Sequence, residues 1–156
     1  MDRDGRRRPG PGLFDVPLPE LRLWRILSLW APVAAYMAGL FLVSSRTHVV
    51  EIPGDWDKIT HAGAYSVLGV LALRAFHGGL HRVTVLRACG AVLLTVGYGV
   101  LDELQQSRVA GRHASALDWV ADVAGALVAV VFVGALVAFR VRRRGITRSR
   151  AVGGEP

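Results

Sequence analysis

The sequence predicts an all-α integral membrane protein with four transmembrane helices and both termini in the cytoplasm. Three observations carry that expectation. The chain has 156 residues and is 52% hydrophobic, and its apolar residues gather into four blocks, Trp24–Val43, Ile59–Phe76, Val83–Leu101 and Leu117–Phe139. Each block is close to the ~20 residues that cross a ~30 Å hydrocarbon layer at 1.5 Å per residue. The basic residues lie outside the blocks and are spread unevenly between the connections. A soluble helical bundle is the alternative, but four such blocks with so few internal charges would leave almost no polar surface.

Residues 1–22 read as a disordered basic tail, rich in Arg, Gly and Pro. The first span, 24–43, contains Pro32, where a kink is expected. Its apolar region is longer than a usual signal-peptide core, so retention as a helix is expected. Ile52-Pro53-Gly54-Asp55 is a turn signal before the second span. Arg74 closes that span and Arg87 opens the third, each near enough to an end to snorkel to the headgroups. Cys89 is the only cysteine, so an internal disulfide and a cysteine metal cluster are both excluded. Trp24, Trp30, Trp56 and Trp119 lie near span ends, as interfacial anchors do. Residues 141–156 read as a charged tail without periodicity.

The sequence pI of about 10.9 could suggest nucleic acid, but the arginines form no folded basic face, and no nucleic-acid partner is expected. They follow the positive-inside rule instead. With both tails and the second connection inside, that face holds fifteen of the 19 basic residues against five carboxylates. The outer face then holds four basic residues against seven carboxylates. Membrane lipids are the expected partners of the tails.

Polar residues cluster near the outer ends of the spans. Asp57, His61 and Tyr65 are four apart and share a helix face, with Lys58 beside them. Asp57 could simply cap the second helix. Tyr98, Asp102 and Gln106 form a second stripe, and Glu103 stands three residues before Gln106. Carboxylates at a helix C-terminus oppose its dipole, so Asp102 and Glu103 call for cations, of which Lys58, Arg108 and Arg112 are available. Ser115 and Asp118 form a partial capping box for the fourth helix. Asp122 lies one turn deeper, followed by the small residues Gly125 and Ala129 that permit close helix approach. A cap does not account for Asp122, and ionisable groups at such depth are costly and commonly functional.

Asp57-Lys58-x-x-His61-x-x-x-Tyr65, then Glu103-x-x-Gln106, then Gly111-Arg112-x-x-Ser115-x-x-Asp118 with Gly125 beyond, resembles the VanZ-like family of small polytopic bacterial membrane proteins. The resemblance covers roughly Asp57 to Gly125, within a domain of residues 23–140. The family often has Asn where this chain has Asp122, and Pro where it has Ala110. It takes its name from a protein linked to low-level resistance to teicoplanin, a lipid-tailed glycopeptide antibiotic. The resemblance therefore implies a membrane location and a cell-envelope setting, and no particular reaction. Both signs of charge converging at one membrane depth lead to the expectation of a non-enzymatic protein that binds a lipid-linked envelope precursor, a glycopeptide or another amphipathic ligand there. Lys58 and Arg112 would contact anionic groups, and Asp57, Asp102, Glu103 and Asp118 would orient them. The sequence assigns no cofactor, metal ligand or catalytic residue. The alternatives are a membrane enzyme acting on a lipid phosphate or peptidoglycan precursor, in which His61 and the carboxylates would hold a divalent metal that activates water, and a purely structural ion-pair network between helices. A transporter built on four helices would have to form a homo-oligomer.

Overall fold

The computed structural model describes residues 18–46, 56–80, 83–110 and 115–152, with side chains described from Glu20 to Arg144 within those ranges. Four helices form: α1 Leu18–Ser44, α2 Trp56–His77, α3 Val85–Gln106 and α4 Ala116–Val152. The segments Glu20–Ser44, Trp56–His77, Val85–Gln106 and Ala116–Arg144 are each long and apolar enough to cross a membrane.

The helices outrun the apolar blocks at several ends. α1 starts before Trp24 and continues through Pro32. α3 starts at Val85 rather than Val83, because Thr84 is extended (φ −110°, ψ 145°) and stands at its N-cap. It ends at Gln106 rather than Leu101, so Asp102 and Glu103 lie inside its last turns. Ser107 N–H then donates to Glu103 O at 3.0 Å and closes the helix. α4 runs on through the segment expected to be a charged tail. Arg is a good helix former, so a run of it does not stop a helix. Arg143 stacks over the Phe139 ring at 4.6 Å.

Sequential helices are antiparallel, as their cross-links show. Tyr36 Oη donates to Ala64 O at 3.1 Å and Arg74 to Ser28 O at 3.1 Å, which fixes α1 against α2. Tyr98 Oη donates to Met37 O, and Gln105 Nε2 to Ser45 Oγ at 3.3 Å, which fixes α1 beside α3. α2 lies at the centre and packs on all three others, while α1 and α4 do not touch. The tightest packing joins α2 to α4, which run parallel. Ser66 Oγ lies 2.9 Å from Gly125 O across that seam and 2.7 Å from Ala62 O in its own helix, and its single proton is shared between the two acceptors. A Cβ at Gly125 would overlap Ala62 O and lie 2.7 Å from Ala62 C, so only glycine allows this approach.

The burial pattern is inverted relative to a soluble bundle. Leu86, Leu93, Val128, Val131 and Phe132 are exposed, while Thr95, Asp102, Gln106, Asp118 and Asp122 are buried. Polar groups turned inward and apolar ones outward suit a hydrocarbon surround.

At one end of the bundle, Gly78 (φ 65°) and Gly79 (φ 118°) turn the chain after α2 in left-handed conformations that favour glycine. His77 staples that turn to α3. Its Nδ1–H donates to Leu73 O at 2.9 Å, and its Nε2 accepts the Thr84 N–H at 2.9 Å, which defines the neutral tautomer. Arg25 reaches Gly78 O at 3.4 Å at this same end. The opposite end, formed by the start of α2, the end of α3 and the start of α4, carries the polar cluster.

Candidate functional site: a carboxylate–histidine cluster between three helices

α2 contributes its first three turns. Asp57, His61 and Tyr65 stand one above another, as i, i+4 spacing requires. Asp57 falls within the first turn rather than at the N-cap, since α2 begins at Trp56. Asp57, Lys58 and His61 are half-buried and Tyr65 is buried.

His61 faces α4. Its Nδ1 lies 3.0 Å from Asp122 Oδ1, and Asp122 is wholly buried (0% exposed). A carboxylate opposite an imidazole nitrogen sets that nitrogen as the donor. Tyr65 faces α3, and its Oη donates to Asp102 Oδ2 at 3.2 Å. Gln106 Nε2 donates to the same oxygen at 3.4 Å. Among the described residues Asp102 thus takes two neutral donors. Glu103 does not pair with Gln106. Its Oε2 instead accepts the Ser115 N–H at 2.8 Å.

Ser115 caps α4 as expected, with its Oγ accepting the Leu117 N–H at 3.2 Å. In a capping box a carboxylate three residues on would accept the N-cap N–H. Here Glu103 of the preceding helix accepts it. Asp118 is therefore free of that duty, and it lies buried near His61 and Asp57.

Two overlapping groups result. Donor atoms of Asp57, His61 and Asp118 all lie within 4.8 Å of one another, and so do those of His61, Glu103 and Asp122. Three carboxylate oxygens, Asp102 Oδ1, Glu103 Oε1 and Asp122 Oδ2, are buried with no hydrogen-bond partner. Buried polar atoms are normally satisfied, so the described residues leave three unmatched acceptors at this end of the bundle. It can accept hydrogen bonds from ligand hydroxyl or amine groups, or coordinate a cation.

An apolar cleft of about 310 Å³ borders the cluster between the end of α3 and the start of α4. Val100, Leu104, Ala116 and Trp119 form its apolar wall, and Glu103, Ser107 and Ser115 are its polar members.

The structure brings together Asp57, His61, Tyr65, Asp102, Glu103, Gln106, Ser115, Asp118 and Asp122, with Lys58 in the same turn as Asp57. Gly111 and Arg112 lie outside the described residues. Several contributors were not apparent from the sequence. A Cβ at Gly99 would come within 3.2 Å of Asp122 Oδ2 and 3.3 Å of Tyr65 Cε1, so the small residue admits both groups. Its position three and four residues before Asp102 and Glu103 was the available signal. Trp119 is half-buried and donates to Val96 O at 3.4 Å, so it packs α4 against α3 beside the cluster. Trp30 likewise packs edge-on against Phe76, with ring centroids 5.2 Å apart.

Comparison of the chain with protein-family models, with curated proteins and with solved structures finds no match. The VanZ-like resemblance rests on the motif residues alone.

Proposed function

We propose that this chain is a VanZ-like, multi-pass protein of the bacterial cell membrane that binds the polar head of a lipid-linked or amphipathic envelope ligand. The loop charge bias orients it with both termini in the cytoplasm and the carboxylate–histidine cluster near the outer face. The observation that carries the binding reading is the pairing of two chemistries at one place. Glu103 belongs both to the apolar cleft and to the cluster of acceptor-rich carboxylates. A ligand with an apolar tail and a hydroxyl- or amine-bearing head meets both. Lys58 and Arg112 supply cations for any anionic group on that head.

Teicoplanin has such a tail and head, and a contribution to glycopeptide resistance is the biological reading. Susceptibility measured at matched expression tests it. Wild type should raise the inhibitory concentration over an empty vector, and Glu103→Gln or Arg112→Ala should abolish the rise. Identical susceptibility in all of these strains would remove the resistance role.

A structural reading has one observation in its favour, the buried His61–Asp122 pair that ties α2 to α4. Under that reading, removing either partner lowers stability and leaves no ligand-dependent phenotype.

A further inference from the structure

We infer that His61, Glu103 and Asp122 hold a divalent first-row metal ion between α2, α3 and α4. The inference goes beyond the ligand reading and does not depend on it, although Glu103 is shared.

Three features point to an ion. The donor set is the first. One imidazole and two carboxylates form a mixed nitrogen–oxygen set, which suits Mn²⁺, Fe²⁺ or Zn²⁺ better than the all-oxygen shells of Mg²⁺ and Ca²⁺. The second is convergence. The donor atoms come from three helices and lie within 4.8 Å of one another, so small side-chain movements bring them around one centre, with the ion taking the place of the proton that His61 Nδ1 shares with Asp122. The third is the unsatisfied acceptors. Glu103 Oε1 and Asp122 Oδ2 are buried without a hydrogen-bond partner, and Asp122 has no exposed surface at all. When ionised, the two carboxylates carry two negative charges, which a divalent ion neutralises.

Neighbouring contacts suit the role. Ser115 N–H holds Glu103 Oε2 at 2.8 Å, which orients that carboxylate. Gly99 leaves room for Asp122 Oδ2, which a Cβ would approach to 3.2 Å. Bonds of this kind to metal-ligating groups fix ligand direction. An ion held by three protein donors keeps further positions for water or for ligand oxygens.

His61 also belongs to the group with Asp57 and Asp118. The His61–Glu103–Asp122 group is preferred because it holds both of the unsatisfied oxygens named above.

The test uses the full chain purified in detergent micelles. It is stripped with chelator, equilibrated with Mn²⁺ or Zn²⁺ and passed through a desalting column, and the retained metal is measured by mass spectrometry. Wild type should retain near-stoichiometric metal. Glu103→Gln and Asp122→Asn should each lose at least about tenfold in affinity, the loss that removing even a group that only orients a metal ligand commonly causes. Asp57→Asn should retain metal like wild type. Gel-filtration elution and helical circular dichroism identify any variant that does not fold. If Asp122→Asn fails that check, Glu103→Gln decides alone. An Mn²⁺-dependent rise in melting temperature, present in wild type and absent in Glu103→Gln, is the second readout. No retention by wild type would overturn the inference. Loss in Asp57→Asn with retention in both Glu103→Gln and Asp122→Asn would overturn it too, by moving the ion to the other group. Neither result requires a lipid or antibiotic, so failure here is separate from failure of the ligand reading.

Discussion

Replacing Gly125 with alanine probes the α2–α4 seam on which the cluster depends. The new Cβ would sit 2.7 Å from Ala62 C and 2.8 Å from Ala62 Cα, while ordinary van der Waals contact begins at 3.4 Å. These are backbone atoms and cannot rotate away, and Ala62 O lies nearer still, so the helices must part by more than about 0.7 Å. The same displacement stretches the Ser66 Oγ to Gly125 O contact from 2.9 Å to at least about 3.6 Å, beyond hydrogen-bond reach. Overpacking costs about 1–3 kcal/mol, and the lost contact costs at most about 1 kcal/mol, since the Ser66 hydroxyl keeps Ala62 O as its acceptor. Alanine regains up to about 1 kcal/mol of helix propensity. The net loss is therefore about 1–3 kcal/mol. Gly97→Ala is the control, because a Cβ there meets nothing within 4 Å. It should be neutral or stabilising by up to about 1 kcal/mol. The assay is reversible unfolding in mixed micelles, followed by circular dichroism and by tryptophan emission, which includes that of half-buried Trp119. Equal unfolding midpoints for Gly125→Ala and Gly97→Ala would refute the reasoning.

Two more predictions concern the cluster itself. A double-mutant cycle with His61→Gln and Asp122→Asn should give a coupling energy of about 1–3 kcal/mol, as for contacting groups with a charged partner. Additive effects, read from the same unfolding midpoints, would mean that the 3.0 Å contact contributes no coupling. Tyr65→Phe removes the shorter of the two hydrogen bonds to Asp102 and leaves Gln106 at 3.4 Å. It should cost about 1–2 kcal/mol while retaining the ring packing. A variant as stable as wild type would show that Asp102 does not need the donor.

Much of the fold was legible because membrane-length apolar runs leave few alternatives. All four helices lie where the blocks predicted. The helix ends were less legible, since hydropathy marks the apolar part of a helix and not its hydrogen-bonded limits. Asp102 and Gln106 end an apolar run but continue a helix, because Tyr65 on α2 offers the first of them a donor. The arginine run after Phe139 ends the apolar block without ending α4. Within the site, i, i+4 spacing placed Asp57, His61 and Tyr65 on one face. It could not assign partners across helices. That His61 meets Asp122, and that Glu103 rather than Asp118 accepts the Ser115 N–H, depends on how α2, α3 and α4 rotate against one another. That rotation is fixed by the contacts at Gly99 and Gly125. The sequence showed both as small residues, but not which neighbours they admit.

The central claim is that the cluster lies at the outer face of a membrane-spanning bundle. The most direct measurement is thiol labelling in intact cells with a membrane-impermeant reagent, on a chain with Cys89→Ala. Single cysteines are placed at Ala110, beyond the polar end of α3, and at Thr84, before its opposite end; both positions are exposed. Ala110→Cys should label in intact cells, and Thr84→Cys only after permeabilisation. The reverse pattern would place the carboxylate–histidine cluster on the cytoplasmic side and contradict the claim.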